Sequence, residues 1–254
     1  AHQIGYQAFD PGSRLIVNGS PVDVSSRNST LYEIRNGAWL YNQGFGNVTL
    51  SGRDSTGIVV SGTDALVSST DVYQVTGKGA TVLRASDRAQ GIITSLIALN
   101  GKNTLGAQAS GDGTEVYAAS LITGTGHNAT AFDVSGDARL FNQQQGVVDL
   151  RGRNSTGARV HDGGNFINRG TVSVASGTGV AVSSGYARYV PVYSSLRVNS
   201  GTAALRVGFG GALIIYVARP GASPLLAYGS SPVFLPVPPP PRFPATHLIP
   251  CPLC

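Results

Sequence analysis

Apolar and polar residues alternate in short segments that recur along the chain. After each of a series of turn-like motifs, two apolar or small residues flank one mostly polar position, as in Tyr32-Glu33-Ile34. Alternation with a period of two predicts β-strands with one buried face. A similar pair precedes most of the motifs, as at Val48/Leu50, and it weakens at Ile122/Gly124. The other pairs that follow the motifs are Ile58/Val60, Leu83/Ala85, Ala107/Ala109, Phe132/Val134 and Ala158/Val160.

The motif between these strands is a small residue, a basic residue and then Asn, Asp or Gly. Its spacings are 26, 25, 24, 25 and 26 residues, and its six copies are Ser26-Arg27-Asn28, Gly52-Arg53-Asp54, Gly77-Lys78-Gly79, Gly101-Lys102-Asn103, Gly126-His127-Asn128 and Gly152-Arg153-Asn154. A longer similarity agrees with this period, since Ala38–Val60 aligns without gaps on Ala138–Val160, four copies later. Asn, Asp and Gly tolerate left-handed backbone dihedrals, so the third position predicts a corner between two strands.

A corner every 25 residues or so, with strands on both sides, predicts an all-β fold: a right-handed parallel β-helix whose coils stack about 4.8 Å apart. A β-sandwich would place turns roughly every 8–12 residues, and a propeller blade needs about 40–45 residues. A leucine-rich repeat would add a fixed leucine pattern and a helical stretch. None of these alternatives fits the period.

Residues 1–207 are predicted to form one domain of about eight coils, and residues 208–254 a Pro-rich tail. Eleven of the 14 prolines lie between Pro220 and Pro252, and proline cannot donate to a sheet ladder. Two interpretations of the tail stay open. It is a polyproline II stalk or ligand segment, or the reading frame leaves the native sequence, which would account for the sudden Cys251 and Cys254.

Charge is distributed unevenly. All 13 acidic residues lie at or before Asp162, together with 12 of the 18 Lys and Arg, whereas the remaining segment carries six Arg and no acid. The pI near 9.4 therefore reports a local excess, and we expect no nucleic-acid partner. Cysteine is confined to the last four residues, as suits a chain exported through an oxidising compartment, and no apolar run of about 18 residues predicts a membrane-spanning helix.

The second motif position carries a candidate binding site. Stacked coils would place its side chains in one column with a rise of about 4.8 Å per coil, suited to an anionic polymer such as a sulfated glycan or lipopolysaccharide. The competing interpretation is a row of solvated turn residues that discourage sideways aggregation. The column consists of Arg27, Arg53, Lys78, Lys102, His127 and Arg153.

Three further sets of residues are predicted to form contacts. An aromatic-basic cluster of Tyr186, Arg188, Tyr189 and Tyr193 would contact a partner or would simply be a packed strand near the end of the rod. Asp133 and Arg159 stand one coil apart on the outward position, so the register predicts an ion pair between them. The side chains of Asn42 and Asn142 are interpreted as members of structural amide ladders.

Enzymatic motifs are missing from the sequence. It has no G-x-S-x-G, H-E-x-x-H or P-loop segment, and its four His lack metal-ligand spacing. The closest carboxylate sets, Asp112/Glu115 and Asp133/Asp137, are isolated pairs. We therefore expect no catalytic activity, no cofactor and no metal.

The Gly/Asn/Ser/Thr-rich coils, the cysteine-free body and the segment Tyr193–Val207 resemble the pertactin-like passenger domains of Gram-negative autotransporters. The resemblance covers roughly residues 15–207. It implies a non-enzymatic, monomeric rod at the cell surface or secreted, an adhesin or virulence factor that binds a host receptor or anionic glycan. It also implies a β-barrel translocator in the full-length protein; no barrel sequence follows Val207. The runner-up interpretation is a β-helical carbohydrate-active enzyme or a glycan-binding protein of phage-tail type.

Overall fold

A computed structural model of the chain describes residues 3–19, 21–42 and 44–189 and four strands beyond them. It shows a parallel β-solenoid of about 7 turns, in which each turn contributes one strand to each of three faces. The described residues contain no helix, and so none that could cross a membrane. The parallel β-helix predicted from the period is confirmed.

Face A begins after the predicted corner. Its strands are β1 (Ile4–Ala8), β4 (Thr30–Arg35), β7 (Thr56–Ser61), β10 (Thr81–Ser86), β13 (Leu105–Ser110), β16 (Thr130–Ser135), β19 (Ser155–His161) and the second half of β21 (Thr171–Ser183).

Face B follows face A in each turn. Its strands are β2 (Arg14–Val17), β5 (Trp39–Asn42), β8 (Leu66–Ser69), β11 (Gln90–Ile93), β14 (Glu115–Ala118), β17 (Arg139–Asn142), β20 (Asn165–Asn168), β22 (Tyr186–Tyr189), β24 (Ala212–Ile215) and β25 (Leu225–Tyr228).

Face C leads back to the corner. Its strands are β3 (Val22–Asp23), β6 (Asn47–Leu50), β9 (Val72–Val75), β12 (Leu96–Leu99), β15 (Leu121–Gly124), β18 (Val147–Leu150) and the first half of β21. Because β21 is long enough to serve both faces, A and C join in one 16-stranded sheet, and face B forms a 10-stranded sheet.

The register between turns agrees with the sequence period. Trp39 pairs with Leu66, Leu66 with Gln90, Gln90 with Glu115 and Glu115 with Arg139, so four steps along face B cover 100 residues. The two similar segments Ala38–Val60 and Ala138–Val160 therefore occupy equivalent positions four turns apart.

The core runs through the middle of the stack. The alternating pairs predicted to point inward are buried: Tyr32 and Ile34 are 2% and 0% exposed, and Phe132 and Val134 are fully buried. Even the weak copy keeps Ile122 buried. Truncating such a side chain to Ala typically costs about 2–5 kcal/mol, so the stack depends on this apolar column.

Beyond Tyr189 only strands are described. The strand β23 (Ser195–Val207) pairs in parallel with β21, with a register irregularity at Gly177/Thr178. The short strand β26 (Val233–Leu235) pairs antiparallel with β23, and β25 pairs antiparallel with β24. The predicted boundary at residue 207 and the nature of the tail stay predictions, since most of residues 208–254 lies outside the described residues.

The left-handed corner predicts how substitutions at its third position change the free energy of unfolding. Asn154 has a φ of 55°, a conformation that costs a β-branched residue about 1–2 kcal/mol more than Asn or Gly. We expect Asn154→Val to lower the free energy of unfolding by about that amount, whereas Asn154→Gly changes it by less than about 1 kcal/mol. Urea unfolding followed by far-UV circular dichroism measures both, and equal stabilities of the two variants would refute a left-handed corner.

Candidate functional site

The predicted basic column exists as a corner of the solenoid. We call it the basic corner: the turns that lead from face C to face A, with Arg27, Arg53, Lys78, Lys102, His127 and Arg153 at their tips. The backbone N–H of each following residue donates to the carbonyl of the basic residue one turn later, as from Asn28 to Arg53 at 3.0 Å and from Asp54 to Lys78 at 2.8 Å. The same bond joins the later turns, from Gly79 to Lys102, Asn103 to His127 and Asn128 to Arg153.

Two local features build this corner. The third residue of every motif copy has a positive φ, between 55° at Asp54 and 73° at Gly79, as its Asn, Asp or Gly identity predicts. The small first residue is required by packing. A Cβ on Gly126 would lie 2.1 Å from the carbonyl oxygen of Gly101 in the preceding turn, which no side chain could tolerate. Stacking of the turns therefore fixes the first and third positions and leaves the second free to point outward.

All six basic residues are exposed. One of them, Arg53, forms an ion pair: its Nε lies 3.1 Å from Oδ2 of Asp54. The other five have no carboxylate of the described residues within 4.0 Å. The backbones of neighbouring turns stack about 4.8 Å apart. Like charges on these turns repel one another, so an anion that bridges them would be attracted to the whole row.

The predicted pair on the outward row of face A is confirmed. Asp133 and Arg159 are register partners, and Arg159 Nη1 lies 3.4 Å from Asp133 Oδ2. His161 Nε2 lies 3.1 Å from the other oxygen of Asp133, and its Nδ1 lies 2.7 Å from Asp162. Partial burial lowers the pKa of His161, but its hydrogen bonds to Asp162 and Asp133 outweigh that effect, and the pKa is raised above its ordinary value.

Polar ladders occupy the corner between faces B and C. The side chain of Asn142 donates to Asn168 Oδ1 at 2.7 Å, which confirms an amide ladder at that position. Asn42 instead donates to the carboxylate of Asp71, which also accepts from the backbone N–H of Gly46 at 3.0 Å. Asp71 is 1% exposed, and its burial outweighs these two bonds and raises its pKa to about 6.

The predicted aromatic-basic cluster is only partly described. Tyr186 is half-exposed on β22, where it pairs with Asn165. Arg188 and Tyr189 belong to the backbone of the same strand, opposite Ile167 and Asn168. Their side chains and the whole of Tyr193 lie outside the described residues, so a contact among the four stays a prediction.

An aromatic-basic contact that the sequence analysis missed lies on face B. The guanidinium of Arg14 sits over the ring of Trp39 at 5.2 Å from its centroid, and Tyr117 and Phe141 stack with centroids 4.7 Å apart. Both contacts join residues on neighbouring strands of face B. The sequence could have predicted both contacts, because the two residues of each pair are 24–25 residues apart and this spacing equals the coil period.

A second charged corner was also missed. We call it the acidic corner: the turns that lead from face A to face B, where Asp64, Asp87, Asp112, Asp137 and Asp162 occupy five consecutive turns and are exposed. Four of them have a positive φ, from 48° at Asp162 to 63° at Asp137. Across the described residues, no group of three or more His, Cys, Asp or Glu is placed to hold a metal ion.

Comparison of the chain with protein-family models, with curated proteins and with solved structures finds no match.

The raised pKa of Asp71 predicts a pH dependence of the free energy of unfolding. Folding raises the pKa of Asp71 from 3.8 to about 6, so the folded state favours the protonated carboxyl. The free energy of unfolding that this preference contributes is fully present below about pH 4 and is lost as the pH rises through 6. We expect Asp71→Asn to remove this loss, which amounts to about 1–3 kcal/mol. The measurement is the free energy of unfolding in urea at pH values between 4 and 7.5.

The exposed Asp112→Asn variant serves as the control, since it should follow the wild-type pH profile. If the profile of Asp71→Asn also runs parallel to that of the wild type, the carboxylate does not titrate as proposed.

Proposed function

We propose that the chain is part of a non-enzymatic, surface-displayed β-helix rod of the pertactin-like autotransporter type, and that its basic corner binds an anionic polymer. The parallel solenoid and the cysteine-free body support this lineage. In this proposal the rod is exported and its outward side chains, rather than its core, determine what it binds.

The observation that carries the binding proposal is the continuity of the basic corner. Five successive backbone hydrogen bonds of 2.8–3.0 Å hold the six turns in one column, so the side chains at their tips share one line and one spacing. A repeating row of cations matches a linear polymer that carries repeating anions, such as a sulfated glycan or lipopolysaccharide.

Polymer binding also follows from the energetics of exposed charges. One exposed ion pair contributes only about 0–1 kcal/mol, so a single small anion would be held weakly at any turn. A polymer that contacts several turns adds these contributions within one molecule. Such binding should weaken steeply with salt, because exposed charges are screened over about 8–10 Å at physiological ionic strength.

The test uses two adjacent turns of the basic corner. The double variant Arg53→Gln, Lys78→Gln should bind heparin about 5–30-fold more weakly at low salt, because two contacts of about 0.5–1 kcal/mol each are lost. It should also elute from a heparin column at lower salt than the wild type. Isothermal titration with a defined heparin fragment gives the affinity.

The matched control is Arg14→Gln, Arg139→Gln, which removes the same charge from face B. If both double variants elute together, retention depends on net charge and the basic corner is not the site. Unchanged elution of the Arg53/Lys78 variant would remove the proposal altogether.

A further inference from the structure

Five consecutive strands of face A each lie between a basic residue and an aspartate; four of the basic residues are Arg or Lys and the fifth is His127. A basic-corner residue stands just before the strand and an acidic-corner aspartate just after it. The five bracketing pairs are Arg53 and Asp64 around β7, Lys78 and Asp87 around β10, Lys102 and Asp112 around β13, His127 and Asp137 around β16, and Arg153 and Asp162 around β19. Face A is therefore bounded by a basic edge on one side and an acidic edge on the other.

The two edges do not neutralise each other within one molecule. A six-residue strand spans about 20 Å, which is twice the distance over which exposed charges interact at physiological salt. Some of the charge is offset locally: Arg53 pairs with Asp54, His161 pairs with Asp162, and the exposed Arg88 follows Asp87 in the acidic corner. The remaining charges along both edges face solvent.

We propose that face A is a self-association surface, on which a second copy of this chain packs in parallel about a two-fold axis along the rod. Rotation by 180° about that axis exchanges the left and right edges of the face. The basic corner of one copy then meets the acidic corner of the other, on both sides of the interface. The rotation involves no shift along the rod, so every turn meets the equivalent turn at the same height.

Because the turns repeat, the contacts between the two edges recur from one turn to the next and their contributions add. Both edges share the same rise of about 4.8 Å per turn, because both are corners of the same stacked strands. A match of the two edges at one turn is therefore repeated at the neighbouring turns, on each of two edges. A two-fold arrangement closes at two copies, which is the commonest symmetry of protein oligomers.

The size of the face indicates a weak, salt-dependent dimer. Eight strands of face A, each about 20 Å long and about 4.8 Å apart, cover roughly 700 Å² on each partner. That is slightly below the about 800 Å² per partner of a standard stable interface. Charge pairing at the edges is therefore needed for association. At high salt, where the edge charges are screened, the chain is the monomer that the sequence analysis expects.

The middle of face A gives the proposal a distinctive consequence. Its central row carries two acidic and two basic residues, so it adds no net charge: Glu33, Val59, Arg84, Gln108, Asp133 and Arg159. The symmetry places each of these residues opposite its own copy. Arg159 has Asp133 beside it and Glu33 has Arg35. Arg84 has no carboxylate of the described residues within 4.0 Å, and its guanidinium donates to the Thr81 hydroxyl at 3.2 Å. Arg84 is thus the position where like charges meet.

The experiment is sedimentation velocity of the full chain at about 10 mM and about 500 mM salt, since the screening length falls several-fold between them. We expect a concentration-dependent dimer at low salt and a monomer at high salt. The triple variant Asp64→Asn, Asp87→Asn, Asp137→Asn should weaken dimerisation roughly tenfold or more, because six edge contacts are lost in the dimer. Asn tolerates the positive φ of these positions, so the turns keep their conformation.

The matched control is Asp23→Asn, Glu115→Gln, Asp149→Asn, which removes three carboxylates outside face A and should leave the dimer intact. Arg84→Gln should strengthen the dimer a few-fold, although it removes a cation just as a basic-corner variant does. A wild-type chain that stays monomeric at low salt, a triple variant that dimerises like the wild type, or growth beyond two copies would each overturn the proposal.

The outcome is separable from the binding proposal. The triple variant keeps the whole basic corner, so its heparin retention should equal or exceed that of the wild type. Loss of dimerisation with heparin retention unchanged supports the association surface, whereas loss of heparin retention in this variant would contradict the assignment of separate edges.

Discussion

The structure depends on one constraint, the parallel hydrogen bonding of each turn to the next. It holds in the strands of all three faces and continues through the basic corner, where the N–H of residues such as Asn103 donates to the turn that follows. Because the bonding is continuous, a position in one turn lies directly over the equivalent position in its neighbours. Every column described above, whether apolar, amide, basic or acidic, is a consequence of that continuity.

The sequence predicted those parts of the fold in which residue identity is forced. A left-handed corner accepts few residues, and a Cβ at Gly126 would collide with Gly101, so both positions stand out as a motif. Inward positions must be apolar, so their alternation is visible as well. The strand register, the buried pairs and the Asp133–Arg159 contact followed from these positions alone.

One missed feature, the acidic corner, lies where turns differ in length. The acidic corner has two residues between strand and aspartate in the turn of Asp64, one in the turn of Asp137 and none in the turn of Asp87. Such shifts blur the period along the chain, although the aspartates share one edge in space. The partner of Asn42 was missed for a different reason. The residue opposite Asn42 in the next turn is Ser69 and not a second Asn, and the carboxylate of Asp71 two positions further on accepts from Asn42 and Gly46 instead.

The two similar segments four turns apart, Ala38–Val60 and Ala138–Val160, have a consequence for how such a rod changes over generations. Each turn touches only the turns above and below it, so a block of whole turns can be copied or deleted without disturbing any surface that remains. One such block of four turns adds about 19 Å of reach. Length in this architecture is therefore a quantity that recombination can adjust in whole steps, while the cross-section of the rod stays the same.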